Sequence, residues 1–525
     1  MYILRMSIAC VSIILLTIHR QIHNIQLNSY NLDQQILWYK RNFASFTMNI
    51  ILLISGVLYF EFNLVPTYYL ILICLLGLLI ENLPRKQKKK LVYTARVLRL
   101  IFLCIVLFVL FFIPVAISKN ETDIKYVIYT TALAPLIIFI AYLILLPIEN
   151  ANRKKYMLEA KKIIDANDNL YTIGITGSFG KTSVKYYLST LLKNKYSVCF
   201  TPESFNTAMG ATITIKNDLR NIDDIFICEM GARRIGDIKE ICDIVSPTGA
   251  VITDVGNMHL DTFLNIDNVR KCKFELVDSV ISNDKKSSKE KIILLNGDNK
   301  LIREKIKEYD IRNTKVYFYG FESNNDFTVS NISLSKNGTS FTFVDNVEKA
   351  NFTFQTRLLG KYNIINLVAA ISYAKLFGID IEEMQKTVKT IHPVSHRLEL
   401  ISHDENFLLI DDAYNSNPNG ARAALDVVKS FDGYTKIIIT PGMVELYDKQ
   451  DYENEEFARY GSKIVDYALV VGHTNRLSLD RGFESTLEKD KVINFERVEE
   501  AINFARNEIE GKRIVLLEND LTDNY

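Results

Sequence analysis

The residues best placed to do chemistry in this 525-residue chain run from Thr172 to Ser183, in the order Thr-Ile-Gly-Ile-Thr-Gly-Ser-Phe-Gly-Lys-Thr-Ser. An apolar stretch enters a glycine turn, and a helical pattern with Leu188, Leu191 and Leu192 on one face leaves it. That is the layout of a phosphate-binding loop. Gly177 and Gly180 let backbone N–H groups approach a phosphate chain, because no Cβ stands in the way. The helix start adds unpaired N–H groups and a positive dipole end. Ser178, Phe179 and Ser183 complete the loop. Lys181 can reach β- and γ-phosphates, and the Thr182 hydroxyl suits Mg²⁺. The strict pattern has a further glycine where this chain has Ile175, so the loop is the shorter form Gly-Ser-Phe-Gly-Lys-Thr.

Other reactive residues lie at the ends of apolar runs. Glu229 closes the run 225–230. An acid at the carboxyl end of a strand beside a phosphate loop suits a hard cation. By pattern alone Glu229 serves equally as a surface acid. His259 follows the run 249–254, where ligands collect in open α/β sheets; a lone histidine there is more often a hydrogen-bonded structural group. Lys271, Lys273 and Glu275 read as a helix, and the bland reading is a solvated face. Arg397, in Ser395-His-Arg-Leu-Glu399, could neutralise phosphate charge. Asp411 and Asp412 lead into Tyr414-Asn-Ser-Asn417, rich enough in asparagine to be only a turn.

The elements that must position these residues alternate. Strand patterns at 171–176, 225–230, 249–254, 291–296 and 315–319 are separated by helical ones. That alternation predicts an α/β domain with a mostly parallel sheet. Residues 326–357 read as a small antiparallel section with a turn at Asn337-Gly338, and a helix is expected at 364–377. His392-Pro393 marks a boundary. Strands at 407–411, 436–440, 467–471 and 513–517 then predict a second, Rossmann-like α/β domain. The expected organisation is a membrane region over 1–150, a helical connector over 151–168, a P-loop ATPase domain over 169–392 and a C-terminal domain over 393–525.

Composition splits the same way. Net charge is only +1, which does not suggest a nucleic-acid partner. Seven scattered cysteines include no Cys-x-x-Cys pair, and a reducing compartment fits. Apolar runs at about 3–18, 46–65, 67–83, 100–117 and 126–147 approach the length of membrane spans. Basic residues at 85–90 and 153–155 orient them with the N-terminus outside and the remaining chain in the cytoplasm, where ATP is. No charged residue lies deep in a run, so a transport path is not suggested.

Over about 170–515 the chain resembles the Mur ligase family, ATP-dependent ligases that build the peptide stem of cell-wall precursors. The resemblance rests on Gly177–Thr182, Glu229-Met-Gly-Ala232 with Gly236-Asp-Ile238, His259-Leu260, and Lys273 with Glu275. It rests also on Gly360-Lys-Tyr-Asn363, His396-Arg-Leu-Glu399, Asp411-Asp412 through Asn417-Pro418, and Gly442–Leu446. It implies that Lys181 and Thr182 hold ATP phosphates and Mg²⁺, and that Glu229 and His259 bind Mg²⁺. It implies that Lys273 carries CO₂ as a carbamate that helps place a second Mg²⁺. Asn415 and Asn417 would lie near adenine, Asp412 near ribose, and Arg397 would face the phosphates. The implied reaction makes an acyl phosphate from the carboxylate of a cell-wall peptide precursor, which an amino acid or a dipeptide such as D-alanyl-D-alanine then attacks. The family's uridine-binding N-terminal domain and its C-terminal Lys-Gly-Ser segment have no counterpart here; the tail reads Val515-Leu-Leu-Glu-Asn-Asp520. The expected carboxylate donor is therefore one held at the membrane on a lipid carrier, with a nucleotide-linked precursor as the alternative. Competing readings are a membrane-anchored poly-γ-glutamate-type ligase, a non-catalytic nucleotide-binding relative, and a P-loop-coupled transporter.

Overall fold

The computed structural model describes residues 2–28, 30–83, 90–118, 124–203, 205–256, 258, 260–283, 289–335, 338–401, 404, 406–413, 418–444 and 446–519. They fall into two compact units, Met1–Lys155 and Tyr156–Tyr525.

The first unit is helical: α1 Tyr2–Leu27, α2 Leu32–Arg41, α3 Thr47–Phe60, α4 Thr67–Asn82, α5 Ala95–Ser118, α6 Ile124–Ala132 and the start of α7, Ala134–Asp165. Four helical stretches, Arg5–Leu27, Phe43–Phe60, Ala95–Ile113 and Ala134–Asp165, are long and apolar enough to cross a membrane. The apolar run expected at 67–83 forms the shorter α4. The run expected at 126–147 is two helices, broken at Leu133, and the second runs on through most of the expected connector. Two carboxylates on these helices are paired with arginines. Glu149 accepts two hydrogen bonds from Arg99, at 2.7 and 3.0 Å, and Glu81 accepts one from Arg20 at 2.9 Å.

The second unit holds two sheets. The first contains β1 Tyr171–Thr176, β2 Val198–Phe200, β3 Ile225–Glu229, β4 Gly249–Ile252, β5 Ile292–Asn296, β6 Lys315–Gly320, β7 Phe327–Ser335, β8 Gly338–Asp345 and β9 Ala350–Thr356, in the order β2-β3-β1-β4-β5-β6-β7-β8-β9. Strands β2 to β7 are parallel neighbours, and β7, β8 and β9 are antiparallel. The antiparallel section expected at 326–357 is β7 to β9, and it extends the same sheet through Tyr319↔Phe327. Of its expected turn, Asn337 lies outside the described residues.

Helices α8 Lys181–Leu192, α9 Ala208–Asn217, α10 Asp237–Val245, α11 Leu260–Phe263, α12 Ile266–Ile281 and α13 Lys300–Ile306 connect the parallel strands. Helices α14 Lys361–Leu376 and α15 Ile381–Thr390 follow β9. Strand alternation sorts the core onto two faces. Ile173, Ile175, Ile225 and Ile227 pack with Tyr187, Leu188 and Leu191 of α8 and with α14. Phe226, Cys228, Ala250 and Ile252 pack with α10 and α12 on the other face. All seven cysteines are buried free thiols.

The second sheet holds β10 Glu399–Leu400, β11 Phe407–Asp412, β12 Thr435–Thr440, β13 Tyr467–Val471, β14 Val492–Phe495 and β15 Arg513–Glu518, in the order β10-β11-β15-β12-β13-β14. Only β10 is antiparallel to its neighbour. Helices α16 Pro418–Lys429, α17 Gln450–Gly461, α18 Arg476–Phe483 and α19 Val498–Asn507 connect and cover it. Strands β2, β10 and β14 are short or flanked by charge, and the sequence pattern did not single them out.

Candidate functional site

In the first sheet, the chain leaves β1 toward β2 and β3 on one side and returns at β4 on the other. Such a reversal opens a crevice at the carboxyl ends of the strands, where open α/β sheets bind ligands. The turn 177–180 lies there. Gly177 has φ +150° and Gly180 φ +80°. A Cβ at Gly177 would run into Thr253 and the Asp254 backbone, and one at Gly180 into the Asn366 side chain of α14. The turn is pinned to the segment after β4. Ser178 N–H donates to the Asp254 carbonyl at 2.9 Å, Gly256 N–H donates to Ser178 Oγ at 2.9 Å, and the Thr253 hydroxyl donates to the Phe179 carbonyl. The Ser178 hydroxyl is thus committed to Gly256 after β4, and Ser183 is buried on α8.

Lys181 opens α8 and turns back, its ammonium donating to the carbonyls of Gly177 at 2.8 Å and Ser178 at 3.3 Å. Burial, helped by the nearby cations of Lys273 and Arg397 and opposed by Glu229 and Asp254, pushes its pKa down to about 7. Asp254 is pushed up by burial, while Asn299 donates to its carboxylate at 2.6 Å.

Strand alternation aims Glu229. It shares a face with Ile225 and Ile227, so its side chain meets α8. Its Oε1 accepts from the Thr182 hydroxyl at 3.1 Å and from Asn206 at 3.5 Å. Its Oε2 lies 2.9 Å from the ammonium of Lys185, off the angle of a hydrogen bond. Thr182 and Glu229 were expected as metal ligands, and they stand side by side. Mg²⁺ keeps several waters and takes few protein oxygens, so this hydroxyl and carboxylate fit it. Among the described residues, no three His, Cys, Asp or Glu side chains form a metal cage. His259, the other expected ligand, lies outside the described residues, as do Asn415 and Asn417.

The solvated-face reading of 271–275 is corrected. Only Lys271 is exposed; Lys273 and Glu275 are buried because α12 lays that side on the sheet. Glu275 accepts from Gly236 N–H at 2.7 Å and Lys239 N–H at 2.9 Å, holding the start of α10. Lys273 is 4% exposed, and burial lowers its pKa. Its ammonium makes no hydrogen bond or ion pair among the described residues.

The strap that leads into β10 supplies Arg397. Its guanidinium donates from Nη2 to Thr182 Oγ1 at 3.4 Å. The short strap that carries it is tied to β11: His396 Nδ1 meets Asp411 Oδ2 at 2.7 Å, and Leu398 N–H donates to Asp412 Oδ1 at 3.1 Å. Burial raises the Asp412 pKa to about 7, although Leu398 and Arg397 favour its charged form. Sequence reasoning missed Lys185, Asn206 and the position of Asn366 over Gly180. The signal for Lys185 was its spacing, one helical turn after Lys181.

Residues 175–374 match the family described as Mur ligase middle domain, and residues 396–518 the one described as Mur ligase, glutamate ligase domain. The UDP-N-acetylmuramoyl-tripeptide–D-alanyl-D-alanine ligase of Bacillus subtilis is 30% identical over 325 residues, 62% of this chain and 67% of that protein. The enzyme of that name from Escherichia coli is 28% identical over 277 residues, 52% of this chain and 58% of the relative. The chain thus spans 58% to 67% of the length of these two relatives. Among solved structures, MurF from Acinetobacter baumannii matches with a TM-score of 0.61 at 22% identity, over 70% of this chain and 77% of that one. MurF from Thermotoga maritima, solved in complex with ADP, gives 0.59 at 23%, over 70% and 80%. At those identities the structures show a shared fold. With both domain matches in chain order and the Bacillus relative aligned across them, this chain belongs to the Mur ligase family.

Proposed function

We propose that the protein is an ATP-dependent amide ligase of cell-wall precursor synthesis that joins a peptide carboxylate to an amino acid or dipeptide. D-alanyl-D-alanine is the first candidate for the incoming amine, because the relatives above are named for it. The observation that carries the reading is the chain of contacts Arg397–Thr182–Glu229, which brings a cation from the strap before β10 onto the glycine turn after β1.

The turn is read as a P-loop holding ATP, through its N–H groups and Lys181. Thr182 and Glu229 would hold Mg²⁺, with His259 completing the set. When bound, the metal would neutralise phosphate charge as the γ-phosphoryl group moves. Lys181 and Arg397 stabilise that same charge from the protein side. The substrate carboxylate attacks the γ-phosphorus, the bond to ADP breaks, and an acyl phosphate forms. The amine then attacks the acyl carbon, phosphate leaves and the amine proton is lost. Lys273 is read as the carbamate carrier, since a buried lysine with a lowered pKa offers the neutral amine that CO₂ needs. Asp412 is read as near the ribose, Asn415 and Asn417 as near adenine, and the second sheet as Rossmann-like. Residues 169–392 and 393–525 are proposed as the two ligase domains, and 151–168 as the connector.

We propose also that residues 1–150 anchor the ligase in the cytoplasmic membrane, with the ligase facing the cytoplasm. Support comes from the four long apolar helices and the basic residues at 85–90 and 153–155. The donor is then either UDP-linked, as in the names of the relatives, or lipid-linked. The test is phosphate release by the full-length protein in detergent with Mg-ATP. UDP-linked and lipid-linked peptide precursors are supplied, each with and without D-alanyl-D-alanine, and Lys181→Ala is the blank. Release that needs both partners, with a mass gain on one precursor, establishes the ligase and its donor. No release above the blank with any pair rejects it.

A further inference from the structure

Lys185 is 2% exposed and Glu229 is 1% exposed, so both charges are buried. Lys185 sits on α8, one turn beyond Lys181, on the side that faces β3. Its ammonium lies 2.9 Å from Glu229 Oε2 and donates to the Glu203 carbonyl at 2.5 Å. The other carboxylate oxygen, Oε1, is the one that meets the Thr182 hydroxyl. The backbone N–H of Glu229 donates to Thr201 Oγ1 at 3.0 Å, and Asn206 approaches Oε1 from the same loop. Glu203, whose carbonyl Lys185 holds, has φ +40°, an uncommon conformation for a residue with a side chain.

A buried ion pair is a poor stabiliser, because desolvating both charges costs several kcal/mol before any attraction is recovered. Stability alone gives little reason for a lysine here, where an apolar side chain would fill the space. What the lysine does is geometric. Its ammonium lies against one oxygen of Glu229 and holds the Glu203 carbonyl, leaving Oε1 turned toward Thr182. We propose that Lys185 is a positioning residue for the reaction: it fixes the rotamer of Glu229 so that Oε1 and Thr182 Oγ1 present a preformed pair of oxygens to the nucleotide-bound divalent cation. The inference rests on the nucleotide and Mg²⁺ reading above.

Two effects of removing the ammonium oppose each other, and their signs separate positioning from simple charge balance. Lys185→Met makes the site more negative, which on charge alone tightens cation binding. If Lys185 positions Glu229, the carboxylate swings and cation binding weakens, by about tenfold as for other residues that orient a metal ligand. The experiment is calorimetric binding of ADP to the full-length protein with and without Mn²⁺, together with the paramagnetic signal of bound Mn²⁺. In Lys185→Met, ADP affinity without metal stays within twofold of wild type, and the gain from Mn²⁺ drops about tenfold. Lys185→Gln, which keeps a shorter neutral donor, recovers part of that gain. Mn²⁺ binding that is unchanged or tighter in folded Lys185→Met overturns the proposal. If a melting curve shows that variant unfolded, Lys185→Gln decides, with unchanged or tighter Mn²⁺ binding again the overturning result. A wild-type protein whose ADP affinity ignores Mn²⁺ would instead reject the underlying metal reading.

Discussion

Arg397, on the strap before β10, and Thr182, at the start of α8, are 215 residues apart, yet Nη2 of one donates to Oγ1 of the other at 3.4 Å. The contact is long for a hydrogen bond, so its value is in placement rather than stability. It puts a guanidinium at the mouth of the glycine turn. The residues either side of it, His396 at φ +62° and Leu398 at φ +48°, hold left-handed backbone that side chains disfavour. Asp411 and Asp412 hold that strap in place. We expect Arg397→Ala to leave metal-free ADP binding within a few-fold of wild type and to lower the rate of phosphate release by roughly 10²–10³-fold, the loss typical of removing one charge-stabilising donor. Single-turnover phosphate release measures it, and an equal loss in ADP affinity would place Arg397 in ground-state binding instead.

Lys181 makes a pH prediction with a definite sign. Its pKa without nucleotide is about 7, mainly because burial penalises the charge and Lys273 repels it. Phosphates favour the protonated form, so binding raises that pKa and draws in a proton above pH 7. Nucleotide affinity then falls as pH rises, on the order of tenfold between pH 7 and pH 8.5. Calorimetry in buffers of different ionisation enthalpy would read the proton uptake directly. Lys181→Met should abolish this part of the pH dependence, and a flat wild-type profile would refute the assignment.

Much of this was legible in the sequence because β1, β3 and β4 are short apolar runs ending in glycine or charged residues. Strand–turn–helix order marks Lys181 and Thr182 at the glycine turn, while Glu229 reads from its pattern alone equally as a surface acid. Contacts between elements distant in the chain were not legible. Nothing local says that Lys185 reaches Glu229, or that α14 lays Asn366 over Gly180. Burial is not legible from local pattern where charge is buried: Lys273 and Glu275 are compatible with a solvated face until α12 packs on the sheet. Short strands such as β2 and β10 carry too few residues for a period-two pattern to register. The antiparallel character of 326–357 is legible, but sheet continuity depends on two parallel pairs, Tyr319↔Phe327 and Gly320↔Thr328, which no local pattern encodes.

Lys273 offers a chemical test. A buried lysine with a lowered pKa is an unstable possession unless the amine is modified or paired. If it carries a carbamate, Lys273→Ala should lose most ligase activity, and added acetate or a longer carboxylate should restore part of it by lending the missing carboxylate. Intact-protein mass measured near neutral pH should show one CO₂ that acid removes from wild type and that the variant lacks. Full activity in Lys273→Ala would end the carbamate reading.

Gly180 tests whether the turn must be glycine for conformation, for space, or both. At φ +80° a Cβ is opposed by the following carbonyl, costing about 1–2 kcal/mol. The same Cβ would collide with the amide of Asn366, a side chain that could swing aside at little cost. Gly180→Ala should therefore unfold at lower urea and bind ADP more weakly. The double variant Gly180→Ala, Asn366→Ala separates the two causes. If the collision dominates, the second change restores most of the loss; if conformation dominates, it restores little. We expect little restoration, because a swinging side chain relieves its own clash and a left-handed backbone does not. Urea midpoints of the four proteins in the cycle give the coupling between the two positions, and a value near the full single-site cost would show that space, not φ, selects the glycine.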